Sequence, residues 1–269
     1  MNPLEPLEIL PLTRRCEKQL LEFLNKDRIS NFFSICDLEH FKDRTAVWLA
    51  LSAKDVVGYL LEYDCHILCL RGSGHCVPLL LGKSHLSDAM LNIEPHQLSA
   101  VKKMFEPIDP ADKATVGKIT TFVVMKASRD TFKPAIMPQI RELKRDSVTE
   151  IAGLLGVNRK QALDSLAGVA FGFYEGERLV SYAASPEILE DLAIVRGVFT
   201  APDKRCKGYS KAVCSALVSR LHSEGKEVML YVSKDNAAAL SVYGSLGFRE
   251  TGHRFLGFTA KRRNQRREE

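Results

Sequence analysis

Two periods alternate along the chain, and the alternation runs through twice. Leu7 to Leu12 reads as a short strand, and Leu20, Leu21 and Leu24 then recur at helical spacing. Phe32, Phe33, Ile35 and Leu38 mark a second helical or loop segment. Ala46 to Ala53 reads as a strand, a Lys54-Asp55 turn follows, and the apolar run from Val56 to Arg71 holds two more strands. Gly72 and Gly74 then open a loop, and Pro78 cuts short any helix after it. His85 to Phe105 reads as a helical hairpin, and Thr120 to Ala127 as the closing strand of this half.

The segment Arg129 to Pro138, polar at its start and carrying two prolines, reads as a connector. Beyond it the plan repeats. A short strand and turn spans residues 139–146, and a helix follows with Ser147 or Thr149 as N-cap and Gly156 as its stop. Residues 158–168 form another helical segment. Residues 168–185 form a hairpin turning at Glu175-Gly176-Glu177, and Leu192 to Thr200 a longer strand. An amphipathic helix from Lys211 to Leu221, a strand from Glu227 to Ser233, a helix ended by Gly247 and a last strand region complete the half. The expected domains are residues 1–130, residues 131–260 and a basic, disordered tail at 261–269.

Composition narrows the class. At 269 residues, 45% hydrophobic and 26% charged, the chain is globular and long enough for two domains. Of its net charge of +5, the last nine residues hold +3, which leaves the body nearly neutral. Nucleic-acid binding is therefore not implied. Seven cysteines, an odd count and several of them in apolar runs, point to a reducing, cytoplasmic setting. The N-terminus has acidic residues and prolines but no basic stretch before an apolar one, so no signal peptide is expected. No apolar run is long enough to span a membrane. Cys65, His66, Cys69, His75 and Cys76 crowd together without a C-x-x-C pair, and no metal is expected there.

The stretch Val198 to Ser210, VFTAPDKRCKGYS, is the chemically telling one. A strand feeds a basic, glycine-containing loop at a helix N-terminus. Unpaired N–H groups and the helix dipole hold a phosphate at such a place. The spacings of a Walker loop and of a dinucleotide fingerprint are both absent. Arg205-x-x-Gly208-x-Ser210 resembles the R/Q-x-x-G-x-G/A element of the GNAT superfamily of acyl-CoA-dependent N-acetyltransferases. Asn236-x-x-Ala239-x-x-x-Tyr243-x-x-x-Gly247-Phe248 resembles the second half of that family's signature. The resemblance is close over residues 168–252, and the first half shares only the plan.

What the resemblance implies is an α/β protein of tandem GNAT-like domains, each a mixed, splayed sheet flanked by helices, the first degenerate. Acetyl-CoA would lie where the strand 192–200 parts from the strand 227–233, bonding the edge at Val198, Phe199 and Thr200. Its pyrophosphate would meet Arg205, Cys206, Lys207, Gly208, Tyr209 and Ser210, with Ser210 also capping the helix. Asn236 and Tyr243 complete the cofactor site. A Val198 N–H would stabilise the oxyanion, and Tyr243, protonated at neutral pH, would protonate the leaving thiolate. The expected reaction is acetyl transfer to a primary amine, of a small molecule or a protein. No base is assigned: Ile194 stands where some members carry a glutamate, Glu187, Glu190 and Asp191 read as solvated loop acids with reach into the cleft through a water as the alternative for any of them, and loss of the amine's proton to solvent is the other route. Cys206 reads as an oxidation-sensitive loop cysteine. The rival reading is a non-catalytic acyl-CoA-binding or interaction module.

Overall fold

The computed structural model of the protein describes residues 6–112, 115–135 and 137–263. The strands are β1 (Leu7–Pro11), β2 (Thr45–Ser52), β3 (Asp55–Tyr63), β4 (Ile67–Gly72), β5 (Asp88–Ile93), β6 (Phe105–Pro107), β7 (Thr120–Ala127), β8 (Ile140–Leu143), β9 (Val169–Glu175), β10 (Arg178–Ser185), β11 (Leu192–Thr200), β12 (Glu227–Ser233) and β13 (Arg249–Arg262). The helices are α1 (Glu17–Asn25), α2 (Phe32–His40), α3 (Val77–Leu81), α4 (Leu98–Met104), α5 (Val148–Leu155), α6 (Arg159–Asp164), α7 (Tyr209–Ser223) and α8 (Ala237–Ser245). They divide into two compact units, one of residues 1–122 with 253–269 and one of residues 123–252.

The second unit orders its strands β7-β12-β11-β10-β9-β8. β11 and β12 run parallel, which requires a crossover, and α7 supplies it. β8, β9, β10 and β11 pair antiparallel in turn. Two cores flank this sheet. On one face Val213, Leu217, Val218 and Leu221 of α7 pack with Ala193, Val195, Val228 and Leu230, and Tyr243, Leu246 and Phe248 extend that cluster. On the other face Val148 and Ile151 of α5 and Ala162 of α6 pack on Ala170, Tyr182 and Ala184. Side chains alternate across a strand, so Ile194 and Arg196 face the α5/α6 side while Ala193 and Val195 face α7.

The first unit orders its strands β1-β2-β3-β4-β5-β13, and β6 also pairs with β13. Its parallel pair is β4 with β5, in register from Ile67↔Met90 to Cys69↔Asn92. Leu60, Leu68, Leu70, Val77, Leu80, Leu91 and Phe105 fill its core. The two units thus repeat one plan: a parallel central pair, a helical crossover and antiparallel strands outside it.

Several sequence expectations change here. Residues 88–93, read as helical, form β5, because Ala89, Leu91 and Ile93 alternate inward with period two. β7, read as the closing strand of the first half, falls from Val123 onward in the second unit, together with the connector after it. Ser128 and Thr131 close a hydrogen-bonded turn, and Phe132, Ala135 and Met137 pack against the α7-side core. The last strand, from His253 onward, falls in the first unit instead of the second. Of the expected tail, Lys261 and Arg262 end β13. The Arg262 guanidinium donates to the carbonyls of Leu81, Ser84 and Leu86 and lies over the Phe105 ring. Residues 264–269 lie outside the described residues. Gly156 ends α5 in the left-handed conformation as expected, while Ser147 holds the N-cap position without a side-chain bond to the helix.

Candidate active site

The site begins where two strands part. β11 and β12 are in register from Leu192↔Glu227 to Val195↔Leu230, and no further. Beyond Val195 the chain of β11 bulges: Tyr182 faces Phe199 but Ala184 faces Arg196, and Gly197 takes φ 63° over the Tyr182 ring. Ala201 donates its N–H to Val180 of β10 at 2.9 Å. Alternation then turns the N–H and C=O groups of Val198 and Thr200 the other way, into the gap beside β12. An unpaired strand edge hydrogen-bonds whatever extended group enters it.

That edge leads into the loop. The Arg205 Nε donates to the Thr200 carbonyl at 3.3 Å, which brings a guanidinium to the end of the edge. Cys206 is exposed and holds a left-handed φ of 62°. Gly208, at φ 80°, is the N-cap of α7, and a Cβ there would meet only the Met137 Cε, at 3.5 Å. Glycine is used for its left-handed backbone and for the open approach it leaves to the helix terminus. The first helical bond runs from Ala212 N–H to Gly208 C=O, so the N–H groups of Tyr209, Ser210 and Lys211 have no partner within the helix. Ser210 stands inside the first turn and does not cap it, contrary to expectation, because the chain enters helix at Tyr209. Lys207 and Lys204 extend toward one carboxylate, Glu175, at 3.5 and 2.5 Å, and the Tyr209 hydroxyl donates to it at 2.5 Å. These donors hold the Glu175 carboxyl well below the usual range, at about 2.

Tyr243 lies on α8, is 8% exposed as a residue, and packs beside Phe248. Among the described residues nothing hydrogen-bonds its hydroxyl. Burial pushes the phenol well above its ordinary pKa, so it stays protonated through the neutral range. Cys214, buried nearby on α7, is pushed up to about 12 and is an inert thiol at neutral pH. Asn236 is the N-cap of α8, its Oδ1 accepting from the Ala239 N–H at 3.1 Å.

Sequence reading missed the state of Glu187. It is not a solvated loop acid. The turn before β11 folds back along it, Ile188 bridging Ala193 and Ile194 N–H reaching the Glu187 carbonyl. The Glu187 side chain is 21% exposed; Oε1 accepts from Arg196 and the buried Oε2 has no partner among the described residues. Burial pushes its carboxyl pKa up, against the pull of Arg196. The signal lay in the i to i+9 pairing of opposite charges across the turn, which is legible only once the turn is known.

The same gap in the first unit is filled by the protein itself. β4 and β5 part after Cys69↔Asn92, and there Arg71 donates to the carbonyls of Leu70, Asn92 and Ser30 and to the Asn92 side chain. Arg71 is 4% exposed, and its guanidinium lies over the Phe255 ring. The crossover helix α3 is five residues long with Pro78 in its first turn, and the Gly72 carbonyl is taken by Gln97 and His96. Cys65 sits in an exposed left-handed turn, while Cys69 is buried in β4.

Residues 170–256 match the family model described as FR47-like protein. The chain is 33% identical over 106 residues to a mycothiol acetyltransferase of Renibacterium salmoninarum, covering 37% of this chain and 31% of that protein. The match therefore spans about a third of that relative's length. Among solved structures, a Drosophila protein aligns with a TM-score of 0.67 at 12% identity, covering 93% of this chain and 98% of that one. A tandem GNAT protein from the clavulanic acid biosynthesis pathway aligns with a TM-score of 0.61 at 13% identity, covering 96% and 98%. The fold is that of two GNAT-like domains in tandem. Among the described residues no helix is long and apolar enough to cross a membrane.

Proposed function

We propose that the second unit is an N-acetyltransferase that moves an acetyl group from acetyl-CoA to a primary amine by direct attack on the thioester. One observation carries the reading: β11 leaves β12 after Val195, and the edge freed from β12 runs straight into an anion-ready loop. The residues suit the cosubstrate. The pantetheine amides pair with the Val198 and Thr200 edge. The pyrophosphate lies against the N–H groups of Tyr209, Ser210 and Lys211, with Arg205 and Lys207 supplying positive charge. Gly208 keeps the approach open, and Asn236 fixes the start of the helix that carries Tyr243.

The amine approaches on the face opposite α7, where Glu187 and Arg196 pair at the start and bend of β11. It arrives as an ammonium and must lose a proton before it can attack. Glu187 takes that proton, directly or through one water. It stands on the approach face beside Arg196, with an oxygen that lacks a donor and a pKa moved toward neutrality. The amine nitrogen then bonds the acetyl carbon, the Val198 N–H stabilises the oxyanion, and the carbon–sulfur bond breaks. Tyr243 gives its proton to the departing thiolate and recovers one from the new amide nitrogen through solvent. The net products are an N-acetylated amine, coenzyme A thiol and one proton.

Thiol release with a panel of amines tests this reading. Turnover that depends on both acetyl-CoA and an amine supports it. Acetyl-CoA binding without thiol release from any amine would favour the non-catalytic acyl-CoA-binding module instead.

A further inference from the structure

Glu175 sits where a carboxylate is electrostatically unwelcome, beside a loop built for an anion. It ends β9, and its three donors straddle Cys206: Lys204 precedes it, and Lys207 and Tyr209 follow it. The Tyr209 ring is fixed a second time by stacking on Phe173 of the same strand, with centroids 4.1 Å apart and planes 16° from parallel. Between these anchors Cys206, a residue with a side chain, is held at φ 62°. Such a conformation persists only where its surroundings over-determine it. Bonds on both sides of Cys206 to a single carboxylate provide that constraint.

We infer that Glu175 is a positioning residue for acetyl-CoA: without touching the cosubstrate, it ties Lys204, Lys207 and Tyr209 together so that the loop presents its N–H groups and cations in binding geometry. The inference rests on the acetyltransferase reading. Two effects of opposite sign meet at this residue. Removing the carboxylate removes repulsion of the pyrophosphate, which strengthens binding. It also releases the loop, so that order must be regained on binding, which weakens it. The ion pair with Lys204 already spends much of the carboxylate's charge, so the ordering effect dominates. Glu175 is ionised throughout the neutral range, so the tie persists at working pH.

The test uses the full chain with Glu175→Ala and the near-isosteric Glu175→Gln. The readouts are acetyl-CoA affinity by calorimetry, and KM and kcat once an amine is found. The expected result for Glu175→Ala is a roughly tenfold or greater loss of affinity, and a matching rise in KM, with kcat at saturation within about twofold. Glu175→Gln keeps an acceptor for Tyr209 but loses the charge for the lysines, and falls between wild type and Ala. A merely structural role would lower the active fraction, and so kcat, without shifting KM. Unchanged or tighter binding by either variant, beside a wild type that binds, overturns this inference and leaves the proposed function standing. Failure of the wild type itself to bind acetyl-CoA overturns both.

Discussion

Tyr243 and Glu187 carry the proton traffic of the account, and burial tunes each in the direction its role needs. Desolvation disfavours the charged form of an acid, so the phenol of Tyr243 stays neutral and able to donate. Tyr243→Phe is expected to lower kcat by about 100-fold or more while acetyl-CoA affinity stays within about twofold. Steady-state kinetics paired with calorimetry checks this, and equal turnover by the variant would sink the acid assignment. Glu187 is shifted the same way and must be ionised to act. As pH falls through its raised pKa it protonates, and kcat/KM falls with it. The acidic limb of the profile is therefore expected above the ordinary glutamate value of about 4.3. Glu187→Gln should lower the rate and abolish that limb; a variant that retains the limb at the same pH would exclude Glu187 as the base. The same shift has a consequence for the fold. The native state binds this proton more readily than the unfolded chain, so protonating Glu187 favours the fold.

At the scale of elements, α7 is the crossover between β11 and β12 and also the helix proposed to bind the pyrophosphate, and its seat on the sheet positions the loop before it. Leu217 is fully buried among Val213, Leu221 and the inward side chains of β11 and β12. Leu217→Ala should cost about 2–5 kcal/mol, read from urea unfolding. Gly247 closes α8 at φ 92°, and a Cβ there would stand 1.8 Å from the Thr131 carbonyl oxygen. Gly247→Ala is expected to cost about 3 kcal/mol or more, since the obstacle is backbone that cannot swing away. A loss of less than about 1 kcal/mol would show that the 128–132 turn does not press on α8 as described. The glycine of the second motif was thus legible as a helix stop, while its reason, the connector lying against it, was not. The strand β5 was missed for a related cause. Its alternating Ala89, Leu91 and Ile93 are short enough to pass as helical spacing until β4 pairs beside them.

For the molecule as a whole, the repeated plan was readable because each half must bury a parallel central pair and a crossover helix. Those demands leave the same run of apolar periods in both. The backbone of the loop was readable in the second half because a left-handed turn into a helix calls for glycine locally, at Gly208, which takes φ 80° as the N-cap of α7. What stayed hidden depends on contacts distant in sequence: Glu175 under the loop 29 residues later, and Arg71 reaching 41 residues back to Ser30. Arg71 gives the degeneracy of the first unit a physical form. Its guanidinium makes across the β4/β5 gap the kind of hydrogen bonds that a cosubstrate would make, and α3 is too short to offer a phosphate site. The protein should accordingly carry one acetyl-CoA site, in its second unit. Calorimetric titration of acetyl-CoA into the full chain and into Gly208→Glu tests this most directly, because the variant sets a side chain and a negative charge at the proposed pyrophosphate position. One acetyl-CoA bound per wild-type chain and none bound by the variant is the expected result. Two bound per chain, binding that survives the substitution, or no binding to the wild type would contradict it.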